Sequence, residues 1–155
     1  MSEQQPQPPV FSIEKLYVKD LSLEVPNAPK VFLEREQPAI EVQLNTISAG
    51  LDQGIYEVTV TVTVTAKLGD KTMFLVEATQ AGIFQIRNVP DAEMEAVLGI
   101  ACPNIIFPYA RETIADVIAR AGFPAVHLAP INFEAYHAQK KAALAGQEQQ
   151  PVTTH

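Results

Sequence analysis

Few residues in this chain have the type and spacing to do chemistry. Cys102 is the sole thiol. As a nucleophile it needs a depressed pKa and a histidine close by. Followed by Pro103 in an apolar stretch, it reads instead as a small buried hydrophobe. His127, His137 and His155 never fall at the i, i+4 spacing of a paired metal site. Glu112 and Asp116 do lie i, i+4 on one helical pattern. That spacing suits an acid/base pair, but it is equally the mark of a solvated helix face. The seven glycines are scattered and build no phosphate-binding loop. The inventory implies no catalysis, cofactor or metal.

Two other sets of residues are less ordinary. Asp20, Glu24, Glu57 and Glu77 gather among threonines on one strand face, with apolar Leu75 beside Glu77. Such a face is either simply wet, as antiparallel sheets permit, or a docking surface for a basic partner. The second set is apolar: Phe32 in a Pro-flanked loop, Ile40, Val42 and Leu44 on one strand face, and Phe133, Tyr136 and Leu144 on a terminal helix. Ordinary core is one reading of these; apolar surface left unfilled for a partner is the other.

Bulk properties narrow the class. Over 155 residues, 11 Lys and Arg face 18 Asp and Glu, a net charge of −7. Nucleic acid and anionic membrane demand a basic footprint, so neither is expected as a partner. A single cysteine forms no internal disulfide and no Cys-based zinc cage. Met1 to Pro9 lacks the apolar segment of a signal peptide, and no apolar run approaches the roughly 20 residues that span a bilayer. The expectation is a cytoplasmic protein with one domain over residues 10–145, between disordered tails at 1–9 and 146–155.

The first half must supply strands. Ile55 to Leu68 alternates, with Tyr56, Val58, Val60, Val62, Val64, Ala66 and Leu68 on one face and Glu57, the threonines and Lys67 on the other. Gly69-Asp70-Lys71 turns the chain into a second strand, Thr72 to Ile86. A three-residue loop pairs Leu68 with Thr72 and sets Glu77 beside the threonines; a two-residue turn sets it opposite Val62 on the apolar face. The three-residue loop is therefore expected. Val10 to Val25 alternates with Phe11, Ile13, Tyr17, Leu21, Leu23 and Val25 on one side, and Leu16 and Val18 interrupt the other. Ile40 to Thr46 gives a fourth strand.

The second half is helical. Asp91 is a candidate N-cap, with Met94, Val97, Leu98 and Ala101 at helical spacing. Pro103 and Pro108 predict a kink or irregular segment over Cys102 to Pro108. The helix resumes to a stop at Gly122. Val126 to Pro130 is an extended crossover, and Asn132 caps a helix from Phe133 to about Ala145. Strands followed by helices give an α+β fold: a four-stranded antiparallel sheet with a long interrupted helix and a C-terminal helix packed on one face.

Cys102-Pro-Asn-Ile-Ile-Phe-Pro-Tyr-Ala-Arg111 resembles the SecB family of bacterial protein-export chaperones. So do Tyr17-Val-Lys-Asp-Leu-Ser22, Pro26-Asn-Ala-Pro29, Tyr56-Glu-Val58, Gly82-Ile-Phe84 and Phe123 to Phe133. The resemblance runs in order through nearly all of residues 10–140. It implies a homotetramer, a dimer of dimers joined through the long helices, that holds unfolded secretory precursor proteins and passes them to the SecA motor ATPase. It also implies roles for residues. Asp20, Glu24, Leu75 and Glu77 match positions that dock the basic tail of SecA. Phe74, Val76, Ala78 and Gln80 match positions tied to assembly and client holding, and Ile40, Val42, Leu44 and Phe133 match client contacts. Phe32 and Tyr136 join that set as large apolar groups in loosely packed places.

The chain departs from the family pattern at Glu36, where relatives often carry tryptophan, and at Val76, where they often carry cysteine. Two rival readings stand beside the export chaperone. One is a SecB-like holdase dedicated to a single client such as an antitoxin. The other is a small α+β thioester hydrolase, which would draw on Glu112 and Asp116.

Overall fold

The structure, a computed structural model, describes residues 7–148. Strands β1 (Val10–Glu24), β2 (Ala39–Asp52), β3 (Ile55–Leu68) and β4 (Lys71–Arg87) form one antiparallel sheet in the order β1-β4-β3-β2. A 3-10 turn, Lys30–Leu33, lies between β1 and β2. A long helical stretch follows the sheet: α1 (Asp91–Ala96), a π-helical segment (Val97–Ala101) and α2 (Cys102–Arg120). Helix α3 (Phe133–Glu148) ends the described chain, running past the expected boundary at Ala145. Of the tails expected at 1–9 and 146–155, residues 1–6 and 149–155 lie outside the described residues, whereas 146–148 belong to α3.

The period-two pattern of β3 sets the two sides of the sheet. Val58, Val60, Val62, Val64 and Ala66 are fully buried beneath α2, together with Phe74, Val76, Ala78 and Phe84 of β4. From above, α2 contributes Ile106, Phe107, Ala110, Ile114 and Ile118. Each such valine, isoleucine or phenylalanine stabilises the fold by roughly 1.5–3 kcal/mol relative to an exposed position, and each alanine by less. Helix α2 packs on the two central strands and scarcely touches the two edge strands, which decides what the molecule leaves open.

The hairpin between β3 and β4 differs from expectation. Leu68 pairs with Lys71, so the turn has two residues, Gly69 and Asp70, with Gly69 at φ 57°. The pairing then shifts between Ala66 and Lys67: Lys67 faces Thr72, whereas Ala66 faces Phe74. Met73 is the extra residue of a β-bulge. The bulge restores the polarity match that the shorter turn would have broken, and Glu77 lies opposite Thr63 as required.

Two bulges also correct the reading of β1. Register shifts between Ile13 and Lys15 and between Val18 and Asp20 flip the alternation twice. Leu16, Val18, Leu21 and Leu23 therefore face the helix side, paired with Gly82, Gln80, Ala78 and Val76, while Tyr17 moves to the opposite face beside Ala81.

The irregular helical segment lies upstream of its expected place. Cys102 donates its backbone N–H to the carbonyl of Val97, a π-type bond five residues back. Pro103, at the start of α2, lacks the N–H that would have bonded to Gly99. The extra residue also shifts the apolar stripe, so Cys102 rather than Ala101 is buried. Pro108 sits inside continuous helix; it and Asn104, whose carbonyl it leaves free, are both exposed to water. At the N-terminus the cap position is Pro90, not Asp91, which is the first helical residue. Gly122, at φ 95°, ends α2 in a Schellman pattern: its N–H bonds to Ala119 and that of Phe123 to Ile118. Asn132 caps α3 as expected, its Oδ1 accepting from the Ala135 N–H at 3.0 Å.

Candidate functional site

The helix side and the bare side of the sheet present opposite chemistry. On the helix side, the edge strands carry apolar residues that α2 does not reach. Along β1 these are Phe11, Ile13, Val18, Leu21 and Leu23, each about half exposed. Along β2 they are Ile40 and Val42, 43% and 45% exposed, followed by half-buried Leu44. A molecule whose core were complete would not leave both flanks of its central helix apolar and open.

Several expected contact residues converge at the start of β2. Phe123, just beyond the stop at Gly122, stacks on Phe32 with ring centroids 5.1 Å apart and lies 4.9 Å from Phe74. Ile40, Phe74, Phe123 and Val126 line one groove between β2 and the crossover. Sequence reasoning does not single out Phe123 and Val126; the signal was an aromatic following a helix-stopping glycine, in a proline-broken apolar crossover that has neither helical nor strand periodicity to say which side chains face the sheet. At the other end of β2, Tyr136 donates its hydroxyl to the Leu44 carbonyl, and Phe133 packs edge-on against Phe107 and Tyr136.

The remaining residues of that set lie deeper. Val76, Ala78 and Gln80 are buried with Phe74 under α2 within the single chain, and Phe133 is 2% exposed. Gln80 Oε1 accepts from the Thr113 hydroxyl of α2 at 3.4 Å. These residues fix where α2 and α3 rest, and so shape the open flanks rather than line them.

The bare side is anionic. Glu24 pairs with Leu75, Ser22 with Glu77 and Asp20 with Thr79, so Asp20, Glu24, Leu75 and Glu77 share one face of two adjacent strands. Glu77 accepts a 2.9 Å hydrogen bond from Thr63. Among the described residues no ion pair engages Asp20, Glu24 or Glu77. Glu57 is different: Lys19 lies 2.7 Å from it and Tyr17 donates a hydrogen bond to it. Those bonds hold its carboxyl below the usual range, Lys19 first and Tyr17 second. In return Glu57 pushes the Tyr17 hydroxyl up to about 12, chiefly through the hydrogen bond. Glu57 is thus satisfied internally, and the free anionic set narrows to three carboxylates.

The groups that could have done chemistry are placed apart. Cys102 is fully buried, and burial pushes its thiol up to about 12. Glu112 and Asp116 are exposed on the outer face of α2. Among the described residues, no group of three His, Cys, Asp or Glu side chains is placed to hold a metal ion, and no helix is long and apolar enough to cross a membrane.

Known proteins share this fold. A SecB-like chaperone of Mycobacterium tuberculosis, solved with a peptide of the HigA1 antitoxin, matches with a TM-score of 0.63 over 78% of this chain and 87% of its own; at 15% identity the likeness is one of fold. The family described as preprotein translocase subunit SecB matches residues 3–144. The protein-export protein SecB of Chromobacterium violaceum is 65% identical over 145 residues, covering 94% of this chain and 97% of that protein. That of Methylobacillus flagellatus is 60% identical over 151 residues, covering 97% and 95%. With an apolar side and an anionic side on one sheet, and such identity along nearly its whole length, this chain belongs to the SecB family of protein-export chaperones, which are not enzymes.

Proposed function

We propose that this chaperone holds unfolded secretory precursors on the helix side of its sheet in the cytoplasm and is recognised by SecA on the anionic side. The observation that carries the reading is the pair of uncovered apolar flanks on β1 and β2, set back to back with Asp20, Glu24 and Glu77. Apolar contact is non-directional, so it gives affinity without demanding a sequence. One client side chain contributes roughly 1.5–3 kcal/mol at most, before ordering costs. Tight holding therefore requires several contacts along one extended chain, each later one being intramolecular.

Assembly multiplies those contacts. Among the described residues β1 is an edge strand with unpaired backbone groups along its outer side and an apolar flank, the features that invite a second copy. The outer face of α2, with exposed Tyr109 and Ala119, is available for a second contact between dimers. A homotetramer then leaves the β2 flank, with Phe32, Ile40, Val42 and Leu44, for the client. Apolar holding calls for no nucleotide.

Light scattering with and without a denatured secretory precursor tests the reading. It expects a mass near four protomers of 16.9 kDa, a further rise with client, and suppressed aggregation without nucleotide. A monomer that leaves aggregation unchanged would overturn it.

A further inference from the structure

Past its first turn, where Phe133 and Tyr136 pack into the core, helix α3 is held to β2 and to the π-helical segment by polar contacts more than by burial. Beyond Phe133, Tyr136, His137 and Lys140 its described side chains are exposed, including Leu144 at 58%. The Tyr136 hydroxyl donates to the Leu44 carbonyl, and Lys140 Nζ to the carbonyl of Thr46. Carbonyls two residues apart on a strand point the same way, so α3 covers one run of backbone acceptors on this edge strand and leaves those near Ile40 and Val42 open.

The other fastening is Glu95, in the last turn of α1. Its Oε1 lies 3.5 Å from His137 Nε2 and its Oε2 3.5 Å from Lys141 Nζ. The seat for this contact is Gly99 in the π-helical segment: a Cβ there would lie 2.5 Å from His137 Nδ1. The π turn and the missing side chain together let the imidazole close onto the helix and reach back to Glu95.

We infer that Glu95 is a positioning residue for α3: by bracketing His137 and Lys141 it clasps the helix over the free edge of β2 and sets how much of that strand a non-native chain can reach. The inference rests on the client-holding reading of the β2 flank. Glu95 is 56% exposed, and exposed pairs are weak. A weak clasp suits a cover that must open, so the effect of releasing it is modest.

The test compares the full-length wild type with Glu95→Gln by hydrogen exchange and by binding of a denatured secretory precursor. Glu95→Gln should speed exchange in α3 and at β2 amides 44–48, with the α2 core unchanged. It should also tighten client binding by about two- to fivefold, the scale of one or two exposed pairs. Gly99→Ala, which dislodges His137, should do the same, and the double variant should add little to either. Loss of a merely structural contact would not raise client affinity. Unchanged exchange at 44–48, or client binding equal to or weaker than wild type in Glu95→Gln, overturns the clasp alone when the wild type holds client. A wild type that holds no client overturns the clasp and the holding reading together.

Discussion

Tyr17 on β1 donates its hydroxyl to Glu57 on β3, reaching across β4 and covering Ala81. The raised Tyr17 pKa means that this bond contributes stability in full below about pH 10 and loses it as pH rises through about 12. The lowered Glu57 pKa acts at the other end: its contribution is present above the ordinary carboxylate value of 4.5 and is lost as pH falls through its lower folded value. Tyr17→Phe should cost about 1 kcal/mol at neutral pH. Its denaturation midpoint should converge with wild type at strongly alkaline pH, and absorbance titration should show the latest-ionising tyrosine missing. Equal midpoint differences at neutral and alkaline pH would count against the bond.

Charge reversal on the bare side should separate the two activities. Asp20→Lys with Glu77→Lys removes two of the three free carboxylates and should weaken SecA binding by at least about tenfold, an effect that fades as added salt shortens the Debye length below about 8 Å. Holding of a denatured precursor should be unchanged. Parallel loss of both activities in this variant would place the carboxylates in a structural role.

Glu57 makes a subtler case. Glu57→Gln leaves Lys19 without its anion on the face that carries Asp20. SecA affinity should fall several-fold although Glu57 is not among the free carboxylates. Lys19→Gln should reverse that loss in the double variant. Failure of the rescue, measured by titration calorimetry, would argue against an electrostatic origin.

On the helix side, Val42→Asp should lower client affinity about fivefold, since a half-exposed valine offers roughly 1 kcal/mol of further burial. The melting temperature should barely change. Val64→Asp, its cross-strand partner in the core, should leave a charge buried and unpaired and abolish folding. If Val42→Asp holds client as well as wild type, the β2 flank is not the holding surface.

Gly122→Ala should destabilise the fold by about 1–2 kcal/mol, because alanine resists the left-handed backbone of the Schellman stop. Its Cβ would also sit 3.1 Å from the Phe32 ring and press on the Phe32–Phe123 stack. Thermal denaturation should register the loss, and an unchanged midpoint would show that the helix end relaxes freely.

The parts of this fold that were legible in sequence are those written by period. The valine–threonine alternation of β3 identified the covered and bare faces, and with the alternation of β1 put Glu77 and Leu75 on the same face as Asp20 and Glu24; that β1 lies beside β4 is seen only in the structure. What escaped was displacement by one residue. Glu14, Lys19 and Met73 are ordinary residues whose bulges leave no compositional mark, although Leu16 and Val18 breaking the polar side of β1 recorded the flips. The prolines announced an irregular helix but not its position, because the freed carbonyl of Gly99 lies four residues before Pro103. Burial escaped too: strand parity puts Phe74, Val76, Ala78 and Gln80 on the apolar side, but only the seat of α2 shows that they lie beneath it.

The layout of the sheet has a further consequence for handover. Under the proposed function, cargo and motor meet the protein on opposite surfaces only a strand's thickness apart, so neither blocks the other's approach. A three-way assembly can form, and the motor cannot evict cargo by occupying its place. Release must then come from the motor competing for the cargo itself, one segment at a time, while its grip on the carrier persists.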